Sequence, residues 1–267
     1  MSELDPQQQV SAAQFDRQSA HYGRGHILAD TSDVDRALQG FDLAAGGRAL
    51  DVATGGGHTA LCLARRGLRV TLGDVSPKML TAAAALLREE GHEPDEVRQF
   101  PAESMPFQDE SFAVVSSRVA PHHFTSPEKF IHEVARVLIP GGLFLLIDGS
   151  VPDNDAETAE WVHRVEKLRD PSHHRCLDRA TWEHLVRDSG LLIDISRLEP
   201  MRQPDLNWYF EAANTPEENR RQVLEIVAHA TPHVRAAMQL ESGDGRISWV
   251  WQRLTLVARK AGTESCR

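Results

Sequence analysis

Hydrophobic and polar positions follow two patterns along this chain: short apolar runs, and longer stretches with apolar residues at helical spacing. The short apolar runs predict strands at 48–52, 69–73, 96–100, 112–117 and 143–148. Helical stretches separate them, and two of these begin with the pairs Ser76-Pro77 and Ser126-Pro127, which are typical of helix starts. The run 112–117 shows little alternation, as expected of a strand buried on both faces of a parallel sheet. The order predicts an α/β protein with a doubly wound, Rossmann-like, mostly parallel sheet and helices on both faces.

The two ends of the chain have a less regular pattern. We expect one 267-residue domain with an N-terminal helical segment over 1–45, a core over 46–199, an inserted helical segment over 200–247 and a last edge strand over 248–260. Apolar runs at 191–198 and in the last segment bring the predicted sheet to seven strands. The inserted segment is too long for a plain connection, so it either covers the site or mediates association, for example in a homodimer.

Composition and charge exclude several classes of partner. The formal net charge of -10 repels phosphate backbones, so we expect no nucleic-acid partner. No run reaches the roughly 20 apolar residues that span a bilayer, and the polar start MSELDPQQQV does not resemble a secretory signal, so we expect a cytoplasmic protein. The three scattered cysteines form no Cys-x-x-Cys pair, which argues against a disulfide framework and against a metal site.

A glycine-rich turn follows the first predicted strand, in the run Asp51-Val-Ala-Thr-Gly55-Gly56-Gly57. Glycines let the backbone approach a ligand closely, and the helix that follows presents free N–H groups. The spacing also matches the dinucleotide fingerprint, with Asp74 nineteen residues after Gly55. Asp51 favours another ligand, because a carboxylate there would repel a pyrophosphate and attract the ammonium and sulfonium charges of S-adenosylmethionine. The alternative is that Asp51 merely caps the loop.

The chain resembles the class I S-adenosylmethionine-dependent methyltransferases, and most closely the group around the ubiquinone and menaquinone biosynthesis methyltransferases. The resemblance covers roughly residues 15–198. Its matching stretches are DVATGGGHTA (51–60), GDVSPKML (73–80), AESMPFQDESFAVV (102–115), RVAPHHF (118–124) and EVARVLIPGGLFLLID (133–148). The resemblance implies transfer of a methyl group from S-adenosylmethionine to a small organic acceptor by in-line displacement, with S-adenosylhomocysteine as the product.

The resemblance also implies which residues bind the cofactor. The methionine end would be surrounded by Asp51, Ala53, Gly55, Gly57 and Arg118. Asp74 would accept hydrogen bonds from both ribose hydroxyls. Ala53 stands where the family often has the first glycine of its run, and this change is tolerated if the Ala53 φ angle stays negative.

At the adenine end, Val75 and Met79 would pack on the ring, and Ala102 and Glu103 lie where the family reads the adenine amino group. The family usually has Asp or Asn just before this Ala-Glu pair, whereas this chain has Pro101. Either Glu103 or a backbone group therefore accepts the hydrogen bond from the adenine amino group, or that hydrogen bond is lost. The alternative for Glu103 is a solvated turn residue.

Histidines and one tyrosine are the candidates on the acceptor side. His122 and His123 directly follow the fourth strand, where the family places its methyl acceptor. A neutral imidazole can take a proton from an acceptor hydroxyl or an activated carbon at neutral pH. If the acceptor is already acidic, alignment suffices and the histidines only shape the pocket. Tyr22 occupies a position where related enzymes fold a lid over the cofactor, with helix packing as the alternative.

Other interpretations stay open from the sequence. The glycine spacing and Asp74 also suit a nicotinamide-dependent oxidoreductase, and Pro101 suits a non-catalytic S-adenosylmethionine-binding protein. The polar run 170–175 is expected either to cap the next helix or to form a second wall of the acceptor site. The compact aromatic group 208–210 belongs to the core, to an acceptor pocket or to a dimer contact. By analogy alone, the acceptor is a quinone-like, phenolic or other natural-product carbon or oxygen.

Overall fold

The computed structural model describes residues 4–19, 27–243 and 246–262. In chain order its helices and strands are α1 (Pro6–Gln18), α2 (Ser32–Ala37), β1 (Arg48–Val52), α3 (His58–Arg65), β2 (Arg69–Asp74), α4 (Pro77–Glu89), β3 (Glu96–Gln99), β4 (Phe112–Arg118), α5 (Pro127–Val137), β5 (Leu138–Ser150), α6 (Ala156–Arg169), α7 (Arg179–Asp188), β6 (Leu191–Gln203), α8 (Leu206–Ala213), α9 (Glu217–Ala228), α10 (Pro232–Ala237), β7 (Glu241–Gly243) and β8 (Arg246–Lys260). The predicted lid residue Tyr22 lies outside the described residues.

The strands form one sheet in the order β3-β2-β1-β4-β5-β8-β6, and β7 pairs with β8 beside this path. The first five strands are parallel, whereas β8 runs antiparallel between β5 and β6. This confirms the predicted doubly wound, mostly parallel sheet. The strand order reverses between β1 and β4, and the crevice beyond the carboxyl ends of these strands is the usual ligand site of such sheets.

Both faces of the sheet are covered, which is why its central strands are apolar throughout. On one face, alternate strand residues such as Ala49 and Val114 pack with α2, α3 and α4. On the other face, Leu50 and Val115 pack with α5 and α7, where Trp182 is fully buried. Ser76 begins α4 as predicted, since its hydroxyl accepts a hydrogen bond from the Met79 backbone N–H at 3.1 Å.

A third apolar cluster lies at the carboxyl end of the sheet. It joins α6 to the helices α8, α9 and α10 of the predicted inserted segment, together with Trp249 of β8. This segment is shorter than expected, because β6 continues to Gln203 and β7 begins at Glu241. No helix in the described ranges has both the length and the apolar character needed to cross a bilayer.

Two local predictions need correction. The run Pro140-Gly141-Gly142 predicts a turn before the strand at 143–148, but it is an irregularity inside β5, because Gly141 adopts a φ angle of 78° and the register with β4 shifts there. Apolar spacing predicts a first helix over 14–20, whereas α1 already begins at Pro6, because Asp5 and Gln8 form a capping box. These polar signals, and not hydrophobic periodicity, define the start of α1.

Candidate active site

Two adjoining cavities lie at the carboxyl end of the sheet. The first, of about 850 Å³, is enclosed by α1, the turn after β1, and the segments that follow β2, β3 and β4. The second, of about 1060 Å³, lies between the segment after β4, the end of β5, α6, α8 and β8. Four residues line both cavities: Phe15, Leu28, Val119 and His123. The two spaces therefore meet at a common wall.

Most of the predicted cofactor residues line the first cavity, namely Ala53, Gly55, Asp74, Val75, Ala102, Glu103 and Arg118. Asp51, Gly57 and Met79 are buried behind this wall. Gly57 is required by packing, because a Cβ atom there would lie 2.9 Å from the Ala83 Cα atom and the φ angle is 84°. Its role is the close approach of α3 to α4.

The condition under which Ala53 would be tolerated in place of glycine, a negative φ angle, is not met. Ala53 has a φ angle of 54°, in the left-handed region. The chain leaves β1 there and turns into the glycine segment, and the next residue, Thr54, donates its backbone N–H to the Gly73 carbonyl oxygen at 2.9 Å. An L-residue pays about 1–2 kcal/mol for this conformation, so the family's usual glycine would fit this position better.

Asp51 is a buried carboxylate at the end of β1. It accepts hydrogen bonds from the hydroxyls of Thr54 at 2.7 Å and Ser116 at 2.6 Å. Burial raises the pKa of Asp51 to about 6, although these hydrogen bonds and nearby Arg118 favour the charged form. Asp51 thus caps the glycine turn, and Thr54 separates it from the first cavity.

Asp74, at the end of β2, faces the first cavity directly. Its Oδ2 atom accepts from the Gly55 backbone N–H at 2.9 Å, and its Oδ1 atom accepts from the Ser76 backbone N–H at 2.8 Å. Burial raises the pKa of Asp74 to about 6, and the Asp51 charge adds to this. The two backbone bonds leave carboxylate lone pairs available to a ligand hydroxyl.

The far end of the first cavity is mostly apolar, formed by Val75, Phe100 and Ala102, with Glu103 at its edge. Glu103 is held by protein donors rather than solvated. Its Oε1 atom accepts from the Thr125 backbone N–H at 2.8 Å, and its Oε2 atom accepts from Gln8 of α1 at 3.0 Å. Glu103 therefore ties α1 and the segment before α5 to this end of the cavity.

Arg118 ends β4 and has a side chain only 4% exposed. It donates to the carbonyl oxygens of Leu28 at 2.9 Å and Asp30 at 2.6 Å, and it pairs with Asp33 at 3.0 Å. These contacts fasten the segment before α2 over the sheet. The next residue, Val119, has a φ angle of 53°, which is unusual for a β-branched side chain and marks backbone strain at the wall between the cavities.

His122 lines the second cavity and pairs with Asp148 at the end of β5. The His122 Nδ1 atom lies 2.7 Å from Asp148 Oδ1. Burial alone would lower the pKa of His122, but the Asp148 charge and hydrogen bond outweigh burial and raise it above the ordinary value. Because a carboxylate can only accept, the Nδ1 atom carries the proton in the neutral ring, and the Nε2 atom of that neutral form has a free lone pair.

His123 lies on the common wall and is held differently. The Ser172 hydroxyl donates to Asp170 Oδ1 at 2.6 Å, and its oxygen lies 3.2 Å from the His123 Nδ1 atom. Burial, with the neighbouring His122, lowers the pKa of His123 to about 4, so this imidazole is neutral at neutral pH. The predicted polar run 170–175 thus supports the histidines, since the backbone N–H groups of His174 and Arg175 also donate to the His122 carbonyl oxygen.

Several residues of the two cavities were missed from the sequence. Asp148 carried a usable signal, because it ends a predicted parallel strand as Asp51 and Asp74 do. Phe15 and Gln8 of α1, and Arg253 of β8, carried none, since only the tertiary structure brings these distant segments to the site. Within the described residues, no group of three or more His, Cys, Asp or Glu side chains is arranged to hold a metal ion.

Known proteins resemble this chain in both sequence and fold. Residues 50–146 match the model of a methyltransferase domain. The chain is 32% identical over 222 residues to the uncharacterized methyltransferase YcgJ of Bacillus subtilis, a match that covers 83% of this chain and 87% of YcgJ. The crystal structure of YcgJ superposes with a TM-score of 0.78 at 28% identity, over 88% of this chain and 99% of that one.

A demethylmenaquinone methyltransferase of Chlorobaculum tepidum is 40% identical over 106 residues, which is 39% of this chain and 42% of that protein. The glycine spacing had also suited a nicotinamide-dependent oxidoreductase, but a methyltransferase relative that spans most of the chain decides against it. By fold and by sequence, the chain belongs to the class I S-adenosylmethionine-dependent methyltransferases.

Proposed function

We propose that this enzyme binds S-adenosylmethionine in the first cavity and methylates a small organic acceptor in the second. The common wall of the two cavities carries this proposal. In-line displacement requires the reacting atoms to approach within about 3–3.5 Å, which demands two sites that open onto each other. The two cavities adjoin at His123 and Val119, which line both of them, so the proposal places the reacting atoms there.

The residues of the first cavity fit this cofactor. Among the described residues only backbone N–H groups donate to Asp74, so its buried carboxylate keeps lone pairs for a ribose diol. Val75, Phe100 and Ala102 supply apolar surface for the adenine ring. At the other end, the buried Asp51 charge favours a cationic ligand.

When bound, S-adenosylmethionine supplies a methyl group made electrophilic by the positive sulfur. The protein's own part is to align the acceptor and to exclude water. Phe15, Leu28 and Val119 present apolar side chains at the common wall, where water would otherwise compete with the acceptor.

We propose His122 as the general base. Its Nε2 atom receives the proton that the acceptor O–H or activated C–H loses, while Asp148 holds the ring in orientation and stabilises the resulting positive charge. His123 is less suited to this step, because its lowered pKa opposes protonation. It shapes the wall between the cavities and presents a lone pair there.

The second cavity supports a planar acceptor, such as a phenolic or quinone-like ring. Trp208, Tyr209 and Trp251 line it and supply flat apolar surfaces. Of the aromatic group considered in the sequence, Tyr209 and Phe210 both belong to the third apolar cluster, whereas Trp208 is exposed. Core packing therefore accounts for two of these three residues.

Two measurements test the proposal. Calorimetry should detect binding of S-adenosylhomocysteine and no comparable binding of NAD. Turnover of S-adenosylmethionine should then be measured with a panel of phenols and quinols, and His122→Ala should lower kcat by about 10²–10⁴-fold. If His122→Ala and His123→Ala both keep normal turnover, neither histidine is the base. Binding without turnover on any acceptor would favour the non-catalytic alternative.

A further inference from the structure

One basic side chain in the second cavity, Arg253 of β8, has hydrogen-bonding capacity to spare. Its side chain is 21% exposed and lines this cavity. Within the described residues it makes a single hydrogen bond, from Nη1 to the Asp33 Oδ2 atom at 3.3 Å. A guanidinium carries five N–H donors, so most of the Arg253 donors are left for another partner.

The carboxylate that Arg253 contacts is shared. The Asp33 Oδ2 atom also accepts from Arg118 Nε at 3.0 Å, and the Asp33 Oδ1 atom accepts from the Val34 backbone N–H at 2.8 Å. One negative charge therefore faces two guanidinium groups. Arg118 also donates to two carbonyl oxygens and does not line the second cavity, whereas Arg253 does. Burial lowers the pKa of Arg253, which reflects the cost of keeping its charge there.

The other charged side chains in and beside the second cavity already have hydrogen-bond or ion-pair partners within the protein. Arg169 pairs with Glu166 at 3.1 Å and stacks on the Tyr209 ring, with 3.9 Å from its Cζ atom to the ring centroid. Asp170 accepts from Ser172, and Asp148 is bound to His122. Of the two guanidinium groups that line this cavity among the described residues, Arg253 makes fewer hydrogen bonds and shares its carboxylate partner with Arg118, so it has more donors available to a ligand.

We propose that Arg253 binds a carboxylate on the methyl acceptor, so that the substrate class is an aromatic or unsaturated acid. The planar fork of a guanidinium matches a carboxylate with two parallel hydrogen bonds. A phosphate, with up to two negative charges, fits less well because Glu166 and Asp170 line the same cavity and the Asp148 charge also acts on Arg253. This inference rests on the proposed function of the second cavity.

The test compares acids with their neutral isosteres on the full chain saturated with S-adenosylhomocysteine. The probes are 4-hydroxybenzoate, 4-hydroxyphenylacetate and 4-hydroxycinnamate, each beside its primary amide, with affinity measured by calorimetry. We expect at least one acid to bind about tenfold more tightly than its amide, since a charge-assisted bidentate pair is worth about 1.4 kcal/mol or more. Arg253→Met should abolish that preference, and Arg253→Lys should keep part of it.

The matched control is Arg259→Met, because Arg259 lies on the same strand but pairs with Asp194 at the protein surface. It should leave the preference unchanged. The inference is overturned if no acid binds the wild-type protein more tightly than its amide, or if both Arg253 variants keep the full preference. The proposed function fails separately, at the first step, if S-adenosylhomocysteine does not bind.

Discussion

At the scale of single residues, Ala53 shows a backbone cost that the sequence alone understates. Its φ angle of 54° is one that glycine adopts without penalty. We predict that Ala53→Gly raises the free energy of unfolding by about 0.5–1 kcal/mol, after the added chain entropy of glycine in the unfolded state is subtracted. Urea denaturation measures this.

The control is Ala60→Gly in α3, where the backbone is helical, and it should lower the free energy of unfolding by about 1 kcal/mol. A loss of stability in Ala53→Gly equal to that of the control would contradict a left-handed backbone at Ala53.

The raised pKa values of Asp51 and Asp74 predict that cofactor binding depends on pH. A protonated carboxyl group accepts hydrogen bonds poorly and attracts no cation, so the affinity for S-adenosylhomocysteine should approach its full value above about pH 7 and be at least roughly tenfold weaker at pH 5. The folding stability of the unliganded protein depends on pH with the opposite sign. These groups hold protons more tightly when folded, so their contribution to its stability falls as the pH rises from 3.8 to about 6.

Calorimetry between pH 5 and pH 8 provides the measurement. Asp74→Asn should bind weakly at every pH and show a flatter profile, because its side chain does not titrate. An affinity of the wild-type protein that is constant from pH 8 to pH 5 would exclude a role of these carboxylates.

Asp148 should control the pH at which His122 acts. Only the neutral imidazole can take a proton, so kcat/KM should rise with pH through the raised pKa of His122 and then level off. Asp148→Asn removes the charge that raises this pKa. We therefore expect the rising limb to move to lower pH, with a plateau at least tenfold lower because the ring loses its orientation. If Asp148→Asn does not move the rising limb, the pH profile of kcat/KM reports the titration of a group other than His122.

At the scale of elements, α1 forms the roof of the first cavity and is held largely by side-chain hydrogen bonds to several segments. Asp16 accepts from the Ser76 hydroxyl at 2.5 Å and from the Lys78 backbone N–H at 3.3 Å, at the start of α4. Gln8 binds Glu103 at the other end. A helix attached mainly by side-chain hydrogen bonds, which can break and re-form, suits an element that opens and closes over a ligand.

We predict that Asp16→Ala accelerates release of S-adenosylhomocysteine several-fold, because it frees one end of this roof while leaving the sheet intact. Stopped-flow displacement measures the rate, and urea denaturation checks that stability changes by less than about 1 kcal/mol. The control is Val10→Ala, since Val10 is exposed on the same helix. Equal release rates in both variants would argue against a roof held by Asp16.

At the scale of the whole molecule, β8 connects all three apolar clusters. It contributes Val257 to the face of α3 and α4, Leu254 and Leu256 to the face of α5 and α7, and Trp249 to the cluster of α8 to α10. The helical segment over the second cavity is thus packed on the same strand as the cofactor-binding core, which predicts one cooperative unfolding unit.

We expect a single calorimetric transition that S-adenosylhomocysteine shifts upward as a whole. Phe210→Ala, a truncation in the third cluster, should lower the free energy of unfolding by about 3–5 kcal/mol without splitting this transition. Two transitions, of which the ligand moves only one, would mean that the segment folds separately.

Much of the fold was predictable because local signals and the sheet agree. Strand β1 was predicted with the bounds that the structure has, since a buried strand and a glycine turn follow directly from residue type. Asp74 was predicted for the same reason, as the carboxyl ends of parallel strands meet at one edge. The start of α1 was missed, because polar capping and not hydrophobic spacing defines it.

The sequence by itself determined the order of strands and helices, the glycine turn and the side chains that end each strand, since these depend on residue type and near neighbours. Only the tertiary structure decided the backbone angle of Ala53, the pairing of His122 with Asp148, and the meeting of Arg118 and Arg253 on Asp33. The physical reason is the separation along the chain between the residues that interact. These features depend on charges and packing contributed by segments far apart in the chain, and no local pattern records which distant residue arrives beside another.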